Sequence, residues 1–319
     1  MIFCNPFTLR QRGIMGMNQR NIDYIGRYNP RKLYKQVDDK LITKQLALTA
    51  KIDTPDLISV IKEQHEVAEV NARVRGQSGF CIKPAQGSGG KGILVITKVD
   101  NGRYFKPSGE EVSHSEMARH CSNILAGLFS LGGKNDVAVI EALIKFDPVF
   151  EGYSFEGVPD IRLIIFKGFP VMGMLRLSTA ASDGKANLHQ GAVGVGVDIA
   201  TGQAIRAVQH DLPVQRHPDT DKDLLQMQVP HWERLLHLAS GCYEMSGLGY
   251  LGTDMVLDSE QGPLLLELNA RPGLAIQIAN NQGLLPRLQK IEALGEQSFS
   301  VEQRIELAKE WFGGNSASI

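Results

Sequence analysis

"CIKPAQGSGGKGILVITK", residues 81–98, sets Gly87, Gly89 and Gly92 in the spacing G-x-G-x-x-G. That spacing marks a dinucleotide fold when the glycines end a strand and open a helix whose N-terminus holds the pyrophosphate. Here the loop runs into "GILVITKV", a β-branched segment followed by "DNG" at 100–102. The context is strand–loop–strand, so the dinucleotide reading fails. A P-loop fails as well, because Lys91 is followed by Gly92 rather than Ser or Thr and no helix comes next. Two readings stay open. One is a glycine-rich hairpin with no ligand. The other is a flap whose glycines let backbone N–H groups approach phosphate oxygens closely. In the second, Lys83 adds a point charge from the strand "FCIKP".

Outward from this loop the chain alternates helical and extended patterns. "VDDKLITKQLALTAKI" places Leu41, Leu46, Leu48 and Ile52 near helical spacing and predicts a helix from about Asp39. "DTPDLISVI" reads as a turn into a short strand, "GILVITKV" as one strand, and "RYFKP" as its return across the "DNG" turn. "SHSE", 113–116, is a capping-box pattern, and the helix it opens is expected to stop at Gly132 and Gly133. "VAVIEALI" is a buried strand, and "DIRLIIFKGFPVMGMLRLS" is two long strands around Lys167–Gly168. "PHWERLLHLASGCYEMSG" is a helix, "GTDMVLDSEQGPLLLELNA" a strand pair, and Ser300 with Gln303 a second capping box. Residues 1–37 are polar and basic, without a long period. Helices and mostly antiparallel hairpins in separate runs predict an α+β architecture.

The chain has 319 residues, 43% of them hydrophobic, enough for more than one domain. A formal net charge of −1 argues against a broad nucleic-acid surface or a polybasic membrane anchor. No apolar run reaches bilayer length. The first residues lack the apolar core of a signal peptide, and Met15 or Met17 could serve as the start. Cys4, Cys81, Cys121 and Cys242 are far apart and form no C-x-x-C pair. They read as free thiols of a reducing compartment, so a cytoplasmic location is expected.

A second constellation lies near the C-terminus. "LLLELNARPGL" puts Glu267 and Asn269 two positions apart on a strand, so both leave the same face. They interrupt a run that otherwise reads as buried, where a carboxylate costs several kcal/mol unless paired or coordinated. Asp254 lies on the preceding strand. Three such oxygen donors suit Mg²⁺, with Mn²⁺ also compatible; the alternative is a carboxylate at a sheet edge or paired with an arginine.

The motifs "DDK", "IKPAQGSGGKGI", "VIEALI", "DIRLIIF", "NLHQG", "GTDMVL" and "LELNARPGL" follow one another in this order. The series resembles the ATP-grasp superfamily over about residues 30–290, and within it the RimK-like α-L-glutamate ligases and their α-L-glutamate ligase-related branch. The resemblance implies an ATP-grasp fold. It implies a short N-terminal segment at 1–37, a lid subdomain with the flap at 38–145 and a subdomain with the metal site at 146–319. Lys40 and Lys83 would contact ATP phosphates, under a flap of Gln86, Gly87, Ser88, Gly89, Gly90, Lys91 and Gly92. Glu141 would meet the adenine amino group beside the backbone of Ala142 and Ile144, and Asp147 the ribose. Asp254, Glu267 and Asn269 would bind the metal. Arg162 and Arg176 join Lys83 as catalytic candidates, and Asn187, His189 and Arg271 face the substrate. Two departures accompany the resemblance. The N-terminal domain of relatives is reduced here to about 37 residues, and "NARPGL" carries an arginine where ribosomal-protein-modifying ligases have a small residue.

The implied chemistry is ATP-dependent joining of a carboxylic acid to an amine through an acyl phosphate. Glutamate or another amino acid would be added to a peptide, protein or small molecule, and a homo-oligomer is compatible. Two rivals are an ATP-binding regulatory module without ligase activity and a phosphotransferase. The first would be expected to lose its metal ligands, and all three are present. The second lacks any HRD-like or DFG motif.

Overall fold

The computed structural model describes residues 5–87, 89–130 and 132–314; Cys4 and Ser88 lie outside them. The chain divides into two units. One holds Asp38–Gln45 and Thr54–Lys145, and the other holds the rest of the described chain.

The first unit contains β1 (Leu57–Ile61), β2 (Phe80–Pro84), β3 (Leu94–Ile96), β4 (Lys98–Asp100), β5 (Arg103–Phe105), β6 (Glu111–Val112) and β7 (Ala138–Ala142). They form an antiparallel four-stranded sheet in the order β1-β7-β2-β3 and a three-stranded sheet β4-β5-β6. "GILVITKV", expected as one strand, is therefore two. β3 pairs with β2 and β4 with β5, and the change of partner falls at Thr97, whose N–H donates to Phe105 O at 2.9 Å. Asn101 and Gly102 take positive φ of 50° and 77°, the tight turn that "DNG" requires.

The helix His114–Leu125 opens on the Ser113–Glu116 capping box. It ends before Gly127 rather than at Gly132 and Gly133. Gly127 has φ +78°, and a Cβ there would overlap the Lys134 backbone. Met117, Cys121 and Ile124 of this helix bury themselves with Phe80, Ile82 and Ile140 of the sheet. Each such leucine-sized side chain contributes about 2 kcal/mol of burial free energy.

The second unit is built on β8 (Asp160–Phe166), β9 (Phe169–Leu177), β10 (Val193–Val197), β11 (Ala204–Gln209), β12 (Leu212–Val214), β13 (Tyr250–Asp258) and β14 (Gly262–Asn269). They make one antiparallel sheet in the order β12-β11-β10-β9-β8-β13-β14. The helix Trp232–Ser246 packs on β8, β9, β13 and β14, and the helix Val301–Phe312, capped by Ser300 and Gln303, packs on β9. β10, "VGVGV", carries two glycines, a residue depleted in strands. Its glycines serve close approach instead: a Cβ on Gly196 would come within 2.6 Å of Ala279 O in the helix Ile276–Asn280.

The N-terminal residues of this unit form short helical pieces, including a π-helical turn at Arg20–Ile25. Tyr24 and Tyr28 meet the Phe166 ring edge-on at 5.5 and 4.9 Å. Met15 is buried; its N–H donates to Gln277 Oε1 at 2.8 Å, and Gln277 Nε2 donates to Met15 O at 3.1 Å.

Candidate functional site

In the first unit β2 and β7 bring Lys83 and Glu141 onto one face. Cys81 stands opposite Glu141, and Lys83 follows two residues later. The Lys83 ammonium pairs with Glu141 Oε2. A second lysine, Lys44 of the helix Lys40–Thr49, reaches Glu141 Oε1 at 2.8 Å. Lys44 also donates to Thr54 Oγ1 at 3.3 Å and to Pro55 O. All three side chains are buried, at 5%, 4% and 2% exposure for Lys83, Lys44 and Glu141. Burial lowers the Lys44 pKa against the pull of Glu141. Burial also works against the Glu141 carboxylate, but the two ammonium groups outweigh it and hold its pKa below the usual range. Two ammonium groups thus converge on one carboxylate in a dry place.

Lys44 is the residue that sequence reasoning missed. It lies one helical turn beyond Lys40 and among the buried positions Thr43, Lys44 and Ala47. A lysine on the apolar side of a helix is the signal that would have found it. Lys40 itself is placed differently: its Nζ donates to Gly87 O at 2.7 Å, at the root of the glycine loop. Both oxygens of Glu141, expected at the adenine, carry lysine ammonium groups. The Ala142 N–H donates to Asp56 O at 2.9 Å, and Ile144 is half-buried. Gln86 donates its N–H to Asp136, while Gly89, Gly90 and Lys91 are exposed.

The second unit carries a row of charges across four neighbouring strands. Arg176 on β9 stands opposite Asp160 on β8, Arg162 on β8 opposite Asp254 on β13, and Asp254 opposite Glu267 on β14. Arg162 grips Asp254 with Nε to Oδ1 at 2.7 Å and Nη2 to Oδ2 at 2.5 Å. Arg176 donates from Nε to Asp160 Oδ1 at 2.6 Å, from Nη2 to Asp160 Oδ2, and from Nη2 to Asp254 Oδ2 at 2.9 Å. Two-pronged guanidinium–carboxylate pairing fixes direction as well as distance.

Burial pushes the Asp160 carboxyl up to about 6 against the pull of Arg176. Burial acts on Asp254 in the same sense, but Arg162 and Arg176 overcome it and hold that carboxyl well below the usual range. Asp160, beside Arg162 in "DIR" with spacing two, is a second residue the sequence reading passed over.

Glu267 reaches its place through a β-bulge at Leu266: Asp254 pairs with Glu267 and Met255 with Leu265. Its carboxyl lies within hydrogen-bonding reach of Asp254. Two carboxyl groups that close on one face repel unless a proton or a cation sits with them. The donor set with Asn269 is all oxygen, and in that sense it fits a hard divalent cation. Among the described residues no three His, Cys, Asp or Glu side chains gather into a metal cluster; the expected set is two carboxylates and one amide.

The other expected residues of this unit lie outside its strands, Asp147 and Asn187 as caps of short 3-10 turns and His189 within one. Asp147 Oδ1 accepts from Val149 N at 2.9 Å, and Asn187 Oδ1 from His189 N at 3.0 Å. His189 is exposed, in the segment that leads from β9 to β10. The Arg271 guanidinium lies over the Tyr34 ring at 5.2 Å, and the Arg271 backbone N–H donates to Asn269 Oδ1 at 2.9 Å.

A family model described as sugar-transfer associated ATP-grasp matches residues 19–293. No curated protein matches the chain. Among solved structures, the ATP-grasp ligase PsnB complexed with minimal precursor is 12% identical with a TM-score of 0.47. It is matched over 85% of this chain and 63% of its own. The D-cycloserine synthetase DcsG is 15% identical at a TM-score of 0.47, covering 92% of this chain and 82% of that one. A RimK domain ATP-grasp protein from Sphaerobacter thermophilus DSM 20745 is 10% identical at 0.40, covering 79% and 68%. The chain thus spans less than two thirds of the PsnB chain.

Proposed function

The chain belongs to the sugar-transfer associated ATP-grasp family, and on that premise we propose that it is an ADP-forming, ATP-dependent carboxylate–amine ligase. Its α+β fold is the ATP-grasp fold.

The observation that carries this reading is the buried sharing of Glu141 by Lys44 and Lys83. Two ammonium groups held this close together suit a polyanion such as the ATP phosphates. The glycine loop 87–92 covers them with backbone N–H groups, and Lys40 and Gln86 hold its root. The backbone of Ala142 and Ile144 lies along the adenine, and Asp147 takes the ribose.

The row of charges in the other unit serves the transfer. The substrate carboxylate oxygen attacks the γ-phosphorus; the bond to the β–γ bridging oxygen breaks, and ADP leaves. Arg162 and Arg176 neutralise the charge that spreads over the transferred group. An amine then attacks the acyl carbon, and phosphate departs as the amide forms. Asp254, Glu267 and Asn269 would hold Mg²⁺, which supplies further charge neutralisation at the phosphates; Mn²⁺ suits the same donors. Arg271, Asn187 and His189 orient the substrate, with Arg271 suited to a second acidic group. Closure of the glycine loop keeps water from the acyl phosphate. Among the described residues no helix is long and apolar enough to cross a membrane, and we place the reaction in the cytoplasm.

The test is product analysis with purified protein, ATP-Mg²⁺ and a panel of acids and amines. ADP, phosphate and an amide mass are expected. AMP with pyrophosphate would overturn the acyl-phosphate route. A stable phospho-product without an amide would point to phosphoryl transfer, and nucleotide binding without turnover to a regulatory module.

A further inference from the structure

The glycine loop is tied at both ends by side chains from one segment, residues 120–136. At the entry end the Asp136 carboxylate accepts the Gln86 N–H at 3.0 Å from Oδ2. It also accepts the Ser130 hydroxyl at 2.5 Å and the Val137 N–H at 2.8 Å. Ser130 forms a β-bridge with Gly87, and Lys40 caps the Gly87 carbonyl. Asp136 is only 5% exposed, and the hydrogen bonds it receives stand in for the water that burial removes.

At the exit end His120 Nε2 lies 3.0 Å from Gly92 O, so Nε2 carries the proton and donates it. The His120 ring packs against Phe129 at 5.6 Å between centroids. Phe129 in turn fills the space beside Gly92, where φ is +75° and a Cβ would overlap the ring. The tip is different. Gly89 and Gly90 have positive φ, and a Cβ on either would meet nothing within 4 Å.

We propose that His120 and Asp136 are positioning residues that fix the exit and entry ends of the 87–92 loop, so that closure is confined to its Gly89–Gly90 tip. The proposal rests on the reading that this loop closes over a nucleotide. Fixed ends leave few backbone dihedrals to order when the loop closes, which lowers the entropic cost of each closure. They also bring the N–H groups back to the same place at every turnover. Neither residue touches substrate; both act through the loop backbone.

The loop carries its own reporter, because trypsin cleaves after Lys91, which is exposed. The initial rate of cleavage at that bond, followed by mass spectrometry on the nucleotide-free full chain, reads how often the exit end opens. His120→Phe keeps a ring against Phe129 but removes the donor, and is expected to speed this cut about tenfold, the loss of one part-buried hydrogen bond. His120→Gln, whose amide can donate to Gly92 O, should return most of the protection. Asp136→Asn should speed the same cut from the other end. With turnover, both damaging variants should release more ADP than amide, whereas the wild type releases the two in equal amounts.

Unchanged cleavage at Lys91 in both variants would overturn the proposal. So would a rise shared equally by all exposed lysines and arginines, since that reports general unfolding. If the wild type neither forms an amide nor gains protection at Lys91 from ATP-Mg²⁺, the ligase reading fails. The nucleotide-free comparison still decides whether His120 and Asp136 hold the loop.

Discussion

Lys44, Glu141 and Lys83 form a buried group of two ammonium groups and one carboxylate, whereas the row Asp160, Arg162, Arg176, Asp254 and Glu267 has two guanidinium and three carboxyl groups. Both are largely hidden from water. In the first, two ammonium groups converge on the two oxygens of one carboxylate. In the second, carboxylates alternate with guanidinium groups and two carboxyl groups meet at one end. Ammonium groups gathered in one place suit an anion, and oxygen donors gathered in one place suit a cation. The reading of the first as a phosphate site and the second as a metal site rests on that contrast, and each half can be attacked separately.

The heaviest blow is Lys83→Ala. Removing the ammonium that Glu141 shares should lower turnover by about a thousandfold, in line with the loss of an electrostatic group at a reacting phosphate. Circular dichroism should show the fold intact. Turnover within tenfold of wild type would mean the lysine group is structural.

Glu141→Gln attacks the same group from the other side. It leaves two buried ammonium groups facing each other and should cost about 3 kcal/mol in urea unfolding. Added ATP should recover more stability in this variant than in the wild type, because the nucleotide would replace the missing negative charge. Equal recovery in both would break the idea that the group awaits an anion.

In the acidic row, Glu267→Gln should weaken the Mg²⁺ dependence of nucleotide binding by about tenfold or more, measured by calorimetry at varied metal concentration. An unaltered dependence would remove Glu267 from the metal set. The smallest effect is expected at Lys40. Its ammonium holds a loop carbonyl and lies outside the shared-glutamate group, so Lys40→Ala should raise KM for ATP by less than about tenfold. A loss as large as that of Lys83 would place it among the phosphate contacts after all.

Much of this contrast is legible in the amino-acid sequence alone. Lys83, Asp254, Glu267 and Asn269 stand out because a charged or polar side chain within a β-branched or leucine-rich run has to be explained. The hairpin at Lys167–Gly168, the two capping boxes and the strand–loop–strand context of the glycines are short-range signals, and the folded chain keeps them. What the sequence hides is pairing across distance. Lys44 is unremarkable until Glu141, 97 positions away, takes its ammonium. Asp160 looks like the start of a strand until Arg176 closes on it. β10 escapes notice because Gly194 and Gly196 weaken the strand signal, and only the closeness of Ala279 explains why Gly196 has no side chain. Thr97 escapes because a continuous β-branched run carries no mark of a change of partner.

The burial of Met15 bears on how this protein can be shortened. Gln277 turns both its amide nitrogen and its oxygen to that residue's backbone, and the oxygen also accepts from Leu284 N at 3.0 Å. A version that begins at Met17 would lose a core side chain and leave a hidden NH₂ with no acceptor there. Trimming for crystallisation should therefore stop short of residue 15, and an affinity tag is better carried ahead of it than in its place.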